Sequence, residues 1–263
     1  MRLTTRSALV PLLLATVVGL AACGADEPAP SGSGGAEDLS GTLTVLAAAS
    51  LTESFEALAD EFESQHEGVT VELAFDSSAT LAEQVTQGAP GDVLATADER
   101  TMSVVVDAGS AAGDPQVFAT NHLVLVVPQD NPAGIQEFVD IDSADVDYVV
   151  CVESAPCGAL AAAVLDEQGI AAKPASEEVD VKAVLAKVTL DEADAGIVYA
   201  TDAVAAGDDV TPVEIPAPEE ATTAYPIAVT ADAAEPDLAA AWVDLVLSAE
   251  GQQVLEAAGF GAP

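Results

Sequence analysis

Thr42-Leu43-Thr44-Val45-Leu46-Ala47-Ala48-Ala49-Ser50-Leu51 is the stretch on which the fold turns. Its apolar, β-branched-rich run predicts a strand over Thr42 to Ala48, and Val69 to Phe75 predicts a second. Between them lies a segment of helical period. Phe55, Leu58, Ala59 and Phe62 make its buried stripe, while Glu53, Glu56, Asp60 and Glu63 take the wetter side. Strand, helix, strand in that order is a βαβ unit.

Downstream, the same grammar repeats. A helix over Ala79 to Gln87 ends at Gly88, a strand follows over Gly91 to Thr96, and a helix runs through Met102 to Val106. A middle section opens with the apolar run Leu123 to Val127. It continues with strand Tyr148 to Val152, helix Ala159 to Gln168, helix Val181 to Leu190 and strand Gly196 to Tyr199. Tyr225 to Thr230 is a return strand, followed by amphipathic helices Pro236 to Leu247 and Gly251 to Ala258, expected to pack on the first half. Alternation of this kind defines an α/β protein with mainly parallel sheets.

Upstream, Arg2 and Arg6 precede the apolar run Leu9 to Leu20, which is too short for a mature membrane-spanning helix. Residues 1–22 are therefore expected to be a signal peptide. The run ends in Leu20-Ala21-Ala22-Cys23, which resembles the bacterial lipobox, so Cys23 is the expected lipidated first residue of an exported chain. The chain would then be anchored by lipid to the outer face of the cytoplasmic membrane. Residues 23–40 are rich in Gly, Ser, Pro, Ala and acids, with little to bury, and predict a flexible tether. The remaining stretch of roughly 220 residues is enough for two small α/β lobes.

With Cys23 set aside, Cys151 and Cys157 stand close enough to close a short loop in an oxidising space. A disulfide is expected, with a pair of buried thiols as the alternative. Neither His66 nor His122 has metal-ligand spacing to them, so no cation site is expected.

The chain carries 45 acidic residues against 6 basic ones, a formal net charge of −39. Such a surface repels nucleic acid, and it opposes anion capture at long range. Any anion site must be assembled from strong local donors.

Four helix starts carry the chemistry for one. Ala47-Ala48-Ala49-Ser50-Leu51 and Phe75-Asp76-Ser77-Ser78-Ala79 each end a strand in small and hydroxylated residues. Ala155-Pro156-Cys157-Gly158 and Val179-Asp180-Val181 open two later helices. In parallel α/β sheets, ligands collect at the carboxyl ends of strands, where such helices begin. A helix start presents unpaired N–H groups and about half a positive charge, so several aimed at one point hold a dianion without Arg or Lys. Ser50, Ser78 and Tyr199 would add hydroxyl donors, with Ala49 and Gly158 letting the backbone approach the ligand. Each feature also has a purely structural use. Ser50 with Glu53 spells a capping box, Ser77 or Ser78 an ordinary cap, Pro156 a turn, and Tyr199 a buried strand tyrosine. Asp76 and Asp180 are expected to be solvated or capping.

Taken together, the motifs resemble the molybdate-binding proteins of bacterial ABC transporters. The likeness runs through Val45-Leu46-Ala47-Ala48-Ala49-Ser50-Leu51, Phe75-Asp76-Ser77-Ser78, Gln87-Gly88-Ala89-Pro90-Gly91-Asp92-Val93 and Ala97-Asp98-Glu99. It continues through Pro156-Cys157-Gly158, Gly196-Ile197-Val198-Tyr199-Ala200-Thr201-Asp202-Ala203 and Tyr225-Pro226-Ile227-Ala228-Val229. The resemblance implies the two-lobe periplasmic-binding-protein fold of type II, with mixed, mainly parallel sheets flanked by helices and the ligand in the interlobe cleft. Lobe 1 would comprise residues 41–121 and 225–263, and lobe 2 residues 122–224, with crossovers near Asn121-His122 and Ala224-Tyr225. It also implies oxyanion contacts from the Ser50 and Ser78 hydroxyls, the backbone amides of Cys157 and Val181, and the Tyr199 hydroxyl. Cys157 stands where the family usually has alanine, a backbone contact that tolerates the change. Val181 is the loosest of the matches, and Ser77 is the reserve for Ser78.

The implied partners are molybdate or tungstate, a membrane permease and the membrane itself through the lipid. The chain would act as a monomer without cofactors. Sulfate or another small anion is the same-fold alternative, and a carboxylate would favour an inward Arg100. A serine hydrolase is the rival from another class. It lacks a convincing base, since His66 lies late in a charged helix and His122 at a crossover, and no Gly-x-Ser-x-Gly elbow surrounds either serine.

Overall fold

The computed structural model describes residues 39–216 and 221–263. The expected signal peptide, Cys23 and nearly all of the expected tether lie outside the described residues.

The first βαβ unit forms as its pattern predicts. Strand β1 (Ser40–Ala48) is followed by a 3-10 turn (Ala49–Leu51), helix α1 (Thr52–Gln65) and strand β2 (Gly68–Asp76). β1 begins at Ser40, inside the stretch read as tether, because Ser40 already pairs with Gly68. Leu43, Val45 and Ala47 enter the main core, and Leu46 on the opposite side joins a second cluster with Leu81 and Met102. A strand with both faces covered reads as a continuous apolar run. Helix α1 buries the expected stripe of Phe55, Leu58, Ala59 and Phe62.

Helix α2 (Ser78–Thr86), strand β3 (Val93–Ala95) and helix α3 (Glu99–Asp107) complete the first set. Buried Asp92 takes no part in the cavity described below. Its carboxylate accepts the amides of Thr44, Ala234 and Glu235 at 2.8, 2.7 and 3.1 Å, fastening β1 to the segment before the penultimate helix.

Strand β4 (Gln116–Pro128) is much longer than the apolar run Leu123 to Val127 suggests. Beyond it come β5 (Tyr148–Cys151), α4 (Pro156–Glu167), β6 (Ser176–Glu178), α5 (Val181–Thr189), β7 (Ala195–Tyr199), α6 (Ala200–Ala206), β8 (Val210–Val213), β9 (Thr222–Val229), α7 (Pro236–Leu247) and α8 (Ala249–Ala257). Helices α7 and α8 return to the first set, where Trp242 meets Phe55 and Phe62, each at 5.6 Å between ring centroids.

Strand order is β2-β1-β3-β9-β4-β7-β5-β6, with β8 also on β4. The pairings β1·β2, β1·β3, β5·β6 and β5·β7 are parallel, and every antiparallel pairing between these strands involves β4 or β9. From Gln116 to His122, β4 pairs with β9, and from Leu123 onward it pairs with β7 and β8. One strand therefore serves two halves, changing neighbours between His122 and Leu123. Thr222 to Ala224, read from sequence as part of the second lobe, pair with His122 to Thr120 beside the first half.

Candidate functional site

The carboxyl ends of the parallel strands converge on one small chamber of about 20 Å³. It is lined by Ala48, Ala49 and Ser50 after β1, Asp76, Ser77 and Ser78 after β2, and Ala97 after β3. The second half supplies Pro156 and Cys157 at the start of α4, Asp180 and Val181 at the start of α5, and Tyr199 at the end of β7. All five residues matched to oxyanion contacts, Ser50, Ser78, Cys157, Val181 and Tyr199, lie on this chamber, and all are buried. Its volume exceeds the roughly 10–15 Å³ that one water requires, so it suits a single compact group.

Three of the contributing turns carry no side-chain cap, because Ala48, Ser77 and Ala155 at their N-cap positions make none. No side chain accepts from the first amides of these turns, and α4 opens on Pro156, which has none, so Cys157 carries its first N–H; uncapped helix starts of this kind favour an anion. The capping-box reading of Ser50 and Glu53 does not describe the structure. Ser50 sits inside the 3-10 turn with its hydroxyl 2.8 Å from that of Tyr225, and Glu53 reaches across to Lys182 at 2.7 Å. Ser78 is the first residue of α2, and its Oγ accepts the Ala97 amide at 3.0 Å, which leaves its proton free for the chamber.

The two lining carboxylates are turned to backbone. Asp180 caps α5 by accepting the Ala183 amide at 2.8 Å, and Asp76 accepts the Ser77 amide at 2.6 Å. Gly158 has a packing role. A Cβ there would collide with the Val152 carbonyl oxygen, so glycine lets α4 begin tight against the end of β5. Cys157, beside it, is bonded to Cys151 in a disulfide with Cα atoms 5.8 Å apart, which ties the first turn of α4 to the same strand.

Tyr199 is the most telling residue. Its side chain is buried, its ring packs edge-on against Tyr225 at 5.9 Å, and its hydroxyl, with the Tyr225 phenol as polar neighbour, completes no hydrogen bond of good geometry. The neighbouring Tyr225 hydroxyl is already engaged by Ser50 and, at 3.4 Å, by the Asn121 amide. Burial first, then neighbouring phenol and carboxylate groups, raise the Tyr199 pKa well above its ordinary value. Burial likewise raises that of Tyr225. Both phenols therefore remain proton donors. A buried hydroxyl without a partner is unfavourable by about 1–3 kcal/mol.

Tyr225, Asn121 and Asp202 support the site but had no role assigned from sequence. Tyr225-Pro226 was legible as a motif, whereas its contact with Ser50 spans 175 positions and has no local signal. Asp202 is wholly buried, accepts the Tyr199 amide at 3.2 Å and lies 3.2 Å from Lys182. Burial pushes its carboxyl up to about 6, against the attraction of Lys182. Burial would lower the Lys182 ammonium, but Asp202 and Glu53 outweigh it and hold its pKa above the ordinary value. The pair strengthens the lysine's charge and offsets only part of the desolvation of Asp202.

Arg100 does not line the chamber. Its side chain is 59% exposed and pairs with Asp98 at 3.4 Å, so there is no inward guanidinium for a carboxylate. Neither histidine lines the chamber either. His66 packs edge-on against Phe62 at α1's end, and His122 borders a larger cleft of about 890 Å³. That cleft has more room but no buried polar side chain on its walls, so its size carries no comparable chemistry. Among the described residues, no group of three or more His, Cys, Asp or Glu side chains is placed to hold a cation.

The family model for bacterial extracellular solute-binding proteins matches residues 43–261. The chain belongs to the bacterial extracellular solute-binding proteins. It is 40% identical over 247 residues to the molybdate-binding protein ModA of Mycobacterium tuberculosis, with 94% of each chain covered. It is 34% identical over 204 residues to the molybdate-binding protein ModA of Escherichia coli, covering 72% of this chain and 77% of that one. In fold it resembles the periplasmic molybdate-binding protein of Azotobacter vinelandii, with a TM-score of 0.74, 20% identity, and 84% and 99% of the two chains covered. The architecture is thus the mixed α/β, two-lobe fold of periplasmic binding proteins. No helix among the described residues of this solute-binding protein is long and apolar enough to cross a membrane.

Proposed function

We propose that this protein captures molybdate or tungstate outside the cytoplasm and delivers it to the permease of an ABC importer. The observation that carries the proposal is the unpartnered, buried Tyr199 hydroxyl on a small chamber of helix starts. In the bound state, Ser50, Ser78 and Tyr199 donate hydroxyl protons and Cys157 and Val181 donate backbone amides. Each neutral donor facing a buried charge contributes roughly 1.5–3 kcal/mol before desolvation is subtracted. Identity to proteins named for molybdate, over nearly the whole chain, supports this ion over other dianions.

The lobes divide where β4 changes neighbours, and their closure around the anion is the state the permease reads. Residues 1–22 serve as the signal peptide, and Cys23 carries the lipid that holds a monomer at the outer face of the cytoplasmic membrane. The anion is cargo, the protein needs no cofactor, and it catalyses no reaction.

A thermal-shift panel on the chain without residues 1–23 tests the function. Molybdate and tungstate should raise the melting temperature and phosphate should not, because the chamber offers donors while its acids are turned to amides. Equal response to molybdate, tungstate, sulfate and phosphate, or no response to any, refutes the assignment.

A further inference from the structure

Lys182 follows Val181 on the first turn of α5, so it stands one residue from a chamber amide. Its ammonium lies 2.7 and 2.8 Å from the two carboxylate oxygens of Glu53 on α1, and 3.2 Å from Oδ1 of Asp202 on α6. Helix α1 packs in the half built on β1, β2 and β3, whereas α5 and α6 belong to the half containing β5 to β8. Among the described residues, the remaining ion pairs stay within one half, Arg100 with Asp98 and Lys187 with Glu178 and Glu192. The Glu53 pair joins the two.

Resting on the reading that the halves close over an anion, we infer that Lys182 and Glu53 form a clasp that holds the closed state. The partners are unequally buried, and that inequality makes the contact reversible. Asp202 is fully buried and keeps Lys182 compensated on its own half whether the halves are apart or together. The Glu53 side chain is 50% exposed and passes to water with little penalty when they part. A half-exposed pair adds to closure without trapping the cargo. Glu53 also stands in a chain of net charge −39, close to a chamber argued to hold a dianion. Its charge there opposes binding by Coulomb repulsion, so binding alone gives no reason for it, whereas closure does. Through Asp202, whose other oxygen accepts the Tyr199 amide, the clasp is continuous with the backbone that positions the unpartnered phenol.

Opposed signs make the test decisive. Glu53→Gln removes a negative charge near the anion, and simple electrostatics predicts slower release. A clasp predicts the reverse, release about fivefold faster with little change in association, as expected when an interaction exists only in the closed state. Release of labelled molybdate from the purified protein into excess unlabelled anion measures this, with the ligand-free melting temperature as the control for general destabilisation. Unchanged or slower release from Glu53→Gln overturns the clasp alone. Failure of the unsubstituted protein to retain molybdate overturns the function and the clasp together. If Glu53→Gln melts early without ligand, the double variant Lys182→Met with Asp202→Asn takes its place, since it removes the buried ion and its counter-ion at once. Faster release from that variant supports the clasp, and unchanged release overturns it.

Discussion

The hydroxyls of Ser50 and Tyr225 lie 2.8 Å apart across 175 positions of sequence, joining the end of β1 to β9. The Asn121 amide donates to the Tyr225 oxygen at 3.4 Å, and either hydroxyl can donate in the Ser50–Tyr225 bond; with Tyr225 as donor, the Ser50 proton is left for the chamber. Ser50→Ala and Tyr225→Phe should each weaken molybdate binding about tenfold, near 1.4 kcal/mol. Because both remove one donor chain, the double variant should lose little more than either alone. Calorimetric titration of the three variants checks this, and additive losses would show that Tyr225 acts independently.

Tyr199→Phe should separate binding from folding. It deletes a buried hydroxyl that has no partner in the ligand-free protein, so the melting temperature without anion should hold or rise. Affinity for molybdate should nevertheless fall about tenfold. A parallel loss of both would mean that the hydroxyl serves the fold.

The disulfide between Cys151 and Cys157 closes a loop of sequence separation 6 beside the chamber. By loop-closure entropy it contributes about 2 kcal/mol. Reduction, or the pair of changes Cys151→Ala and Cys157→Ala, should lower the melting temperature and weaken binding several-fold by loosening the first turn of α4. An unchanged melting temperature after verified reduction would contradict this.

Asp202 gives stability an unusual pH dependence. Its carboxyl is raised to about 6 in the folded protein from an ordinary 3.8, so the folded state binds the proton more tightly than the unfolded chain. Stability from this group is present below the unfolded value and is lost as pH rises towards about 6, a difference on the order of 3 kcal/mol. The melting temperature of Asp202→Asn relative to the unsubstituted protein should therefore rise between about pH 4.5 and pH 7. A flat difference would place the carboxyl's titration outside that window.

Much of the scaffold was legible because it depends on local pattern. Phe55, Leu58, Ala59 and Phe62 recur at helical spacing, and β1 and β2 are apolar runs of strand length. What escaped detection lacks such a pattern. The first part of β4 carries a register irregularity between Val117 and Ala119, which breaks the alternation that marks a strand. Strand β8 holds Pro212, which demotes it as a strand, and β6 is three polar residues at the sheet's end. The chamber was readable as helix starts, since Ser50, Ser78, Cys157 and Val181 follow strands and Tyr199 ends one. Its supports were not, because Tyr225, Asn121 and Lys182 reach their partners only through tertiary packing.

The sharing of β4 has a mechanical meaning. From Gln116 to His122 it remains hydrogen-bonded to β9, so a two-stranded ribbon leads into the junction between the halves. Such a ribbon behaves as a leaf spring, compliant to bending and twisting across its flat face but stiff to stretching and to sideways shear. On the proposed reading that the halves close over an anion, this ribbon would let them rock towards one another while resisting sliding, so that each closing stroke would return the same donors to the same corners of the chamber.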